Sequence, residues 1–105
     1  MPMTVIITRD VENRYRGFLS SVMLEVATGV YTGPHISKAV RERVWAVLTD
    51  WHNSLGRGAI IMTWRDPNEP GGQGLRSLGE PSRTLVETDG ALLVKRDIKD
   101  TFTLP

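Results

Sequence analysis

With 105 residues, 40% of them hydrophobic and 24% charged, the chain has the size and balance of a single globular domain with a modest core. Thirteen basic residues against twelve acidic ones leave a net charge of +1, so an anion-binding surface can arise only from local clustering. The absence of cysteine excludes disulfides, thiolate nucleophiles and zinc sites built on sulfur, and His35 and His52 are too few and too far apart for a histidine-rich metal site.

No stretch reaches the roughly 20 apolar residues that a membrane span needs, and the first residues lack the apolar region of a signal peptide. A cytoplasmic protein with no membrane partner is expected. Met3 to Thr8 is apolar and β-branched without strict alternation, the pattern of a first strand covered on both faces. Val11, Tyr15, Phe18, Leu19, Val22, Met23 and Val26 then recur at helical spacing, which predicts a helix from about Val11 to about Met23. In "LEVATGVYTG", residues 24 to 33, two β-rich pieces flank Thr28-Gly29, a hairpin signal.

Gly33-Pro34 breaks the chain. A second helix carries Ile36, Val40, Val44, Val47, Leu48, Trp51 and Leu55 on one face, with Ser37 or its predecessor as cap and Gly56 as the left-handed stop. "GAIIMTW", residues 58 to 64, is a further strand. "RDPNEPGGQG" holds three glycines and two prolines, so it is expected to be irregular, either flexible or wrapped around something. "LRSLG", residues 75 to 79, reads as a short strand, and "TLVE" and "ALLVKR" flank an Asp89-Gly90 turn signal.

This order predicts an α+β fold, a ferredoxin-like β-α-β-β-α-β sandwich with both helices on one face and an extra C-terminal strand. The core is expected over residues 1–83, with 84–105 a tail able to reach a neighbouring subunit. The helix-free sheet face would be open in a monomer, and a sheet-on-sheet homodimer closes it most simply.

Asp10, where the first strand ends, has two readings. It can cap the first helix, or it can be a metal ligand paired with Asp10 of a second copy across a two-fold axis. In the second case Mg2+ or Mn2+ between the carboxylates would activate water for phosphodiester cleavage, although Arg9 alongside disfavours a cation. Arg14 and Arg16 fall outside the apolar stripe. Basic residues at a helix N-terminus run against its dipole, so they are either a solvated face or selected for an anion. Lys38 and Arg41 repeat the theme in the second helix, with Glu42 offering ordinary i,i+4 pairing to Lys38. Trp45, Trp51 and Trp64 are expected in the core or an interface rather than stacked on bases, and His52 as a partner of the helix C-terminal dipole. Gly71, Gly72 and Gly74 lead into a strand rather than a helix, which argues against a nucleotide cradle.

The stretches "ITRDVENRYRGFL", "LEVATGVYTG", "VRERVWAVL", "SLGEPSRT" and "DGALLV", in this order, resemble the small CRISPR-associated adaptation protein of the type I-E branch, from Met3 to about Val94. The resemblance implies a ferredoxin-like homodimer that bridges dimers of the CRISPR integrase during spacer acquisition. It also implies that basic residues hold the backbone of the double-stranded DNA protospacer and that the C-terminal strand docks on the integrase. By position, Arg14, Arg16 and Arg41 match DNA-contacting residues. Arg83 matches one of a basic pair whose other member is Ser82 here. The lysine expected early in helix two falls at Ala39, with Lys38 beside it as a substitute. Some relatives are metal-dependent nucleases with an acid at the end of strand one. Arg9 stands at that position here and Asp10 comes one residue late, so the resemblance implies a scaffold that needs no cofactor. The alternative is a divalent-metal endonuclease, acting on RNA or DNA through paired Asp10.

Overall fold

Strand β1 (Thr4–Arg9) sits at the centre of the main sheet. The computed structural model describes residues 3–79 and 84–95. After β1 come helix α1 (Asn13–Val22), strands β2 (Leu24–Ala27) and β3 (Val30–Gly33), helix α2 (Lys38–Leu55) and strand β4 (Ala59–Arg65). A short 3-10 turn (Pro70–Gly72) then leads into β5 (Gln73–Leu78), and β6 (Thr84–Thr88) and β7 (Ala91–Lys95) follow. The five-stranded sheet has the order β2-β3-β1-β4-β5 with antiparallel neighbours throughout. Its first four strands and two helices form the expected ferredoxin-like α+β sandwich. The extra strand at the edge of this sheet is β5, while β6 and β7 pair with each other as a separate hairpin.

Register explains which residues are buried. Ile6 pairs with Tyr31 on one side and Met62 on the other, so all three share a face. That face carries the core, where they meet Tyr15 and Leu19 of α1 and Val44 and Leu48 of α2. Both helices therefore lie on it. The neighbouring positions pair Ile7 with Val30 and Ile61 on the opposite face. There, Ile7, Leu75 and Leu24 (66% exposed) are open to solvent in the single chain. The sequence of β1 predicts cover on both faces; within one chain only the helix side has it, because no described element of the chain crosses the other.

The ends of α2 are as predicted. Ser37 Oγ accepts from the Val40 N–H at 3.2 Å, and Gly56 takes the left-handed conformation with its N–H on the His52 carbonyl. Gly29 makes the β2–β3 turn at φ 76°, and a Cβ there would come within 2.7 Å of the Thr8 carbonyl oxygen. Helix α1 starts two residues later than expected. Asp10 adopts a left-handed backbone (φ 57°), Glu12 occupies the cap position, and no side chain caps the helix.

The segment "RDPNEPGGQG" is not a loose loop. The Asp66 N–H donates to the Gly72 carbonyl (2.9 Å), Glu69 N–H to Asp66 (3.0 Å) and Gly72 N–H to Glu69 (2.9 Å). Asp66 Oδ1 accepts from the Asn68 N–H. The turn residues thus close a compact β4–β5 connection, a closure that composition alone does not reveal. Among the described residues, no helix is long and apolar enough to cross a membrane.

Candidate nucleic-acid interface

Arg14 and Arg16 stand exposed on the first turns of α1, and each is held by a different neighbour. Arg14 lies over the Trp51 ring, 5.4 Å from its centroid. That ring is fixed by edge-on contacts with Tyr15 (5.3 Å) and Phe18 (5.4 Å). Burial raises the Tyr15 pKa, with a smaller push from Glu12 and opposition from Arg14. Trp51 therefore belongs to the core margin, as expected, and gives Arg14 a platform.

Arg16 is 71% exposed and donates from Nε to Glu25 Oε1 at 2.9 Å. The other carboxylate oxygen of Glu25 accepts the Gly29 N–H at 3.2 Å, and Tyr31 stands directly across from Glu25 in the β2–β3 register. The Gly29 N–H, with Arg16 and Tyr31, holds the Glu25 carboxyl below its ordinary pKa against the opposing effect of burial. Burial, and then the Glu25 charge, raise the Tyr31 pKa in turn. Sequence reasoning missed Glu25. The available signal was an acid in a short apolar strand, four residues before the turn glycine.

Lys38 is exposed at the first position of α2, but Arg41 is not on the surface with it. Arg41 is 5% exposed, and its guanidinium carbon lies 4.2 Å from the Trp64 ring centroid. Among the described residues its Nε has no hydrogen-bond partner. The expectation that Arg41 presents itself to a backbone alongside Lys38 is corrected: position 41 turns toward β4, and the flat ring of Trp64 takes up the guanidinium. Trp64 itself packs across Gly74, where a Cβ would collide with the indole. Arg76 reaches the same ring at 5.7 Å and pairs with Glu42 at 3.4 Å. Asp66 at the rim has a lowered pKa, chiefly because its carboxylate accepts the Asn68 N–H. Trp64 and the charges of Arg41 and Lys38 add to this, against burial.

Asp10 is not a cap. Its carboxylate is 70% exposed and accepts from Arg57 at 3.0 Å, and the same guanidinium lies 3.6 Å from Glu12. In the single chain the Arg57 guanidinium engages the carboxylate that the metal reading relies on, and the second carboxylate of that reading belongs to a partner copy. Among the described residues, no group of three or more His, Asp or Glu side chains is placed to hold a metal ion. His52 does more than face a dipole: its Nε2 lies 3.0 Å from the Gly58 carbonyl, which can only accept, so that nitrogen carries the proton and ties α2 to the start of β4. Arg83 lies outside the described residues.

The fold and this end of α1 define a ferredoxin-like α+β protein with arginines braced on its surface. Residues 3–93 match the family described as CRISPR-associated protein (Cas_Cas2CT1978), and the chain belongs to that Cas2-like family. Membership gives it a role in CRISPR adaptation.

Proposed function

We propose that this chain is a DNA-binding scaffold of spacer acquisition of the type I-E kind. In this reading it is a homodimer that bridges integrase dimers and holds the protospacer duplex by its phosphates. The observation that carries the proposal is the outward pair Arg14 and Arg16, each with a guanidinium exposed yet held by a neighbour. Such groups contact phosphate bidentately, and they position a duplex without reading its sequence. The open sheet face supports the dimer, since a row of exposed apolar side chains on a small protein marks an interaction surface. A two-fold pairing of that face would present the arginines twice. The tail from residue 84 is read as the integrase-docking element, with Leu93 and Val94 exposed on β7.

The test is a salt titration of duplex binding by the integrase complex, wild type against the Arg14→Ala, Arg16→Ala double variant. Each phosphate left without its arginine flattens the log–log slope by roughly 0.9, so the double variant should flatten it by up to about 3.6 per dimer. Equal slopes would make these arginines ordinary solvated surface.

A further inference from the structure

Arg16 is a long, exposed side chain, and a chain of that kind ordinarily samples many rotamers. Here one of its five donors is committed to Glu25, which leaves the terminal amino groups to face outward. Glu25 is itself fixed more firmly than a surface acid. Its side chain is only 16% exposed, and it stands directly across from Tyr31 in the β2–β3 register. It accepts from the Gly29 backbone, and the Gly29 carbonyl is pinned to β1 by the Thr8 N–H (2.7 Å) and the Thr8 hydroxyl (3.2 Å). An unbroken path of hydrogen bonds therefore runs from the central strand through the hairpin turn to one guanidinium on α1.

From this path we infer that Glu25 is a positioning residue: it orients Arg16 so that its two terminal amino groups meet a phosphate of the bound duplex. The inference rests on the phosphate-binding role proposed for Arg16, and it makes a prediction opposite to simple electrostatics. Removing an acid beside a phosphate contact adds a positive increment to the local field, which by itself strengthens DNA binding. If Glu25 works by orientation, its removal weakens binding in spite of the gained charge. Arg16→Lys should do the same, because an ammonium keeps the charge but has no Nε to be held and no fork to be aimed.

The experiment uses the full chain and a fluorescent mixed-sequence duplex at fixed salt, with Glu25→Gln, Arg16→Ala and the double variant. Glutamine keeps the size and the acceptor oxygen of glutamate, and thermal unfolding checks that each variant is folded. Glu25→Gln is expected to weaken binding on the order of tenfold, the equivalent of one loosened charge-assisted hydrogen bond. Added to Arg16→Ala it should weaken binding no further, since its effect passes through Arg16. Binding by Glu25→Gln as tight as or tighter than wild type, while Arg16→Ala weakens it, overturns the positioning role and leaves the phosphate role standing. A second readout is independent of DNA: the 15N resonance of Arg16 Nε should be distinct from those of unpaired arginines and should lose that distinction in Glu25→Gln. An Arg16 Nε signal indifferent to Glu25 overturns the brace itself. Full duplex affinity in Arg16→Ala overturns both readings, with any pairing seen by NMR then a purely structural contact.

Discussion

Arg16 and Arg41 look alike in sequence, each a basic residue in an amphipathic helix, yet they meet opposite fates. On α1, Arg16 is 71% exposed and restrained by a carboxylate. On α2, Arg41 is 5% exposed and lies over an indole, with its Nε unmatched among the described residues. The difference lies in what the sheet sets under each helix. Strand β4 places Trp64 beneath Arg41, whereas β2 places Glu25 beside Arg16. A charge held at its edge by an acid keeps donors for a ligand; a charge covered by a ring becomes part of the packing.

The largest expected effect lies on the buried side. Trp64→Ala should cost about 3–5 kcal/mol, because the indole is buried, covers Gly74 and supports Arg41. Denaturant unfolding measures it. A destabilisation below about 1 kcal/mol would mean that the wedge between α2, β4 and β5 is not core, and the contrast with α1 would dissolve.

Arg41→Met sharpens the same contrast. Methionine fills similar space without a charge to desolvate, so removal of the cation–π attraction and relief of the buried charge should nearly cancel. Stability should stay within about 1 kcal/mol of wild type in either direction. The salt slope of duplex binding should not change, unlike that of the Arg14, Arg16 double variant. A slope flattened by roughly 0.9 or more would show that Arg41 leaves the ring to reach DNA.

Among the described residues, the two carboxylates whose pKa is lowered fall in these two regions, Glu25 beside Arg16 and Asp66 beside Arg41 and Lys38. A carboxyl with a lower pKa in the folded than in the unfolded chain stabilises the fold when ionised. Its contribution is complete above the ordinary carboxylate range and fades as the pH falls through the lowered native value. Acid unfolding followed by melting temperature should show this decline. Glu25→Gln and Asp66→Asn should each remove part of the acid-side slope and leave the neutral-pH limb flat. An acid limb unchanged in both variants would mean that neither the Gly29 nor the Asn68 N–H engages its carboxylate in solution.

How much of this is legible in the sequence depends on range. The limits of α2 are readable because Ser37 and Gly56 act on their own helix ends. The β2–β3 hairpin is readable because Gly29 makes its turn locally. The order of the "RDPNEPGGQG" connection is not, since turn residues announce a break but not the hydrogen bonds that close it. The open face of β1 is hidden by a continuous apolar run, and register, not composition, decides which side of that run is covered. At the site, the exposure of Arg14 and Arg16 follows from helical periodicity. The fates of Arg41 and Asp10 and the role of Glu25 do not, because each depends on a residue that only the fold brings near: Trp64, Arg57 and Arg16.

The smallest expected effect is that of removing the Asp10 charge. Its pair with Arg57 is solvent-exposed on both sides, and such pairs contribute about 0–1 kcal/mol. Its backbone is the more sensitive feature, since φ 57° suits glycine, asparagine or aspartate far better than alanine. Asp10→Asn keeps that tolerance and removes the charge, so it should change stability by less than about 1 kcal/mol. Asp10→Ala should cost about 1–2 kcal/mol more than Asp10→Asn, through backbone strain and not through a missing cap. Asp10→Gly should recover that difference. An Asp10→Ala cost that glycine does not relieve would point back to a side-chain role. The functional arm of the test is spacer acquisition in cells carrying Asp10→Asn, which should proceed at the wild-type level if Asp10 only pairs with Arg57. Failure of acquisition in this folded variant would reinstate the carboxylate as a catalytic or metal-binding group and overturn the scaffold reading.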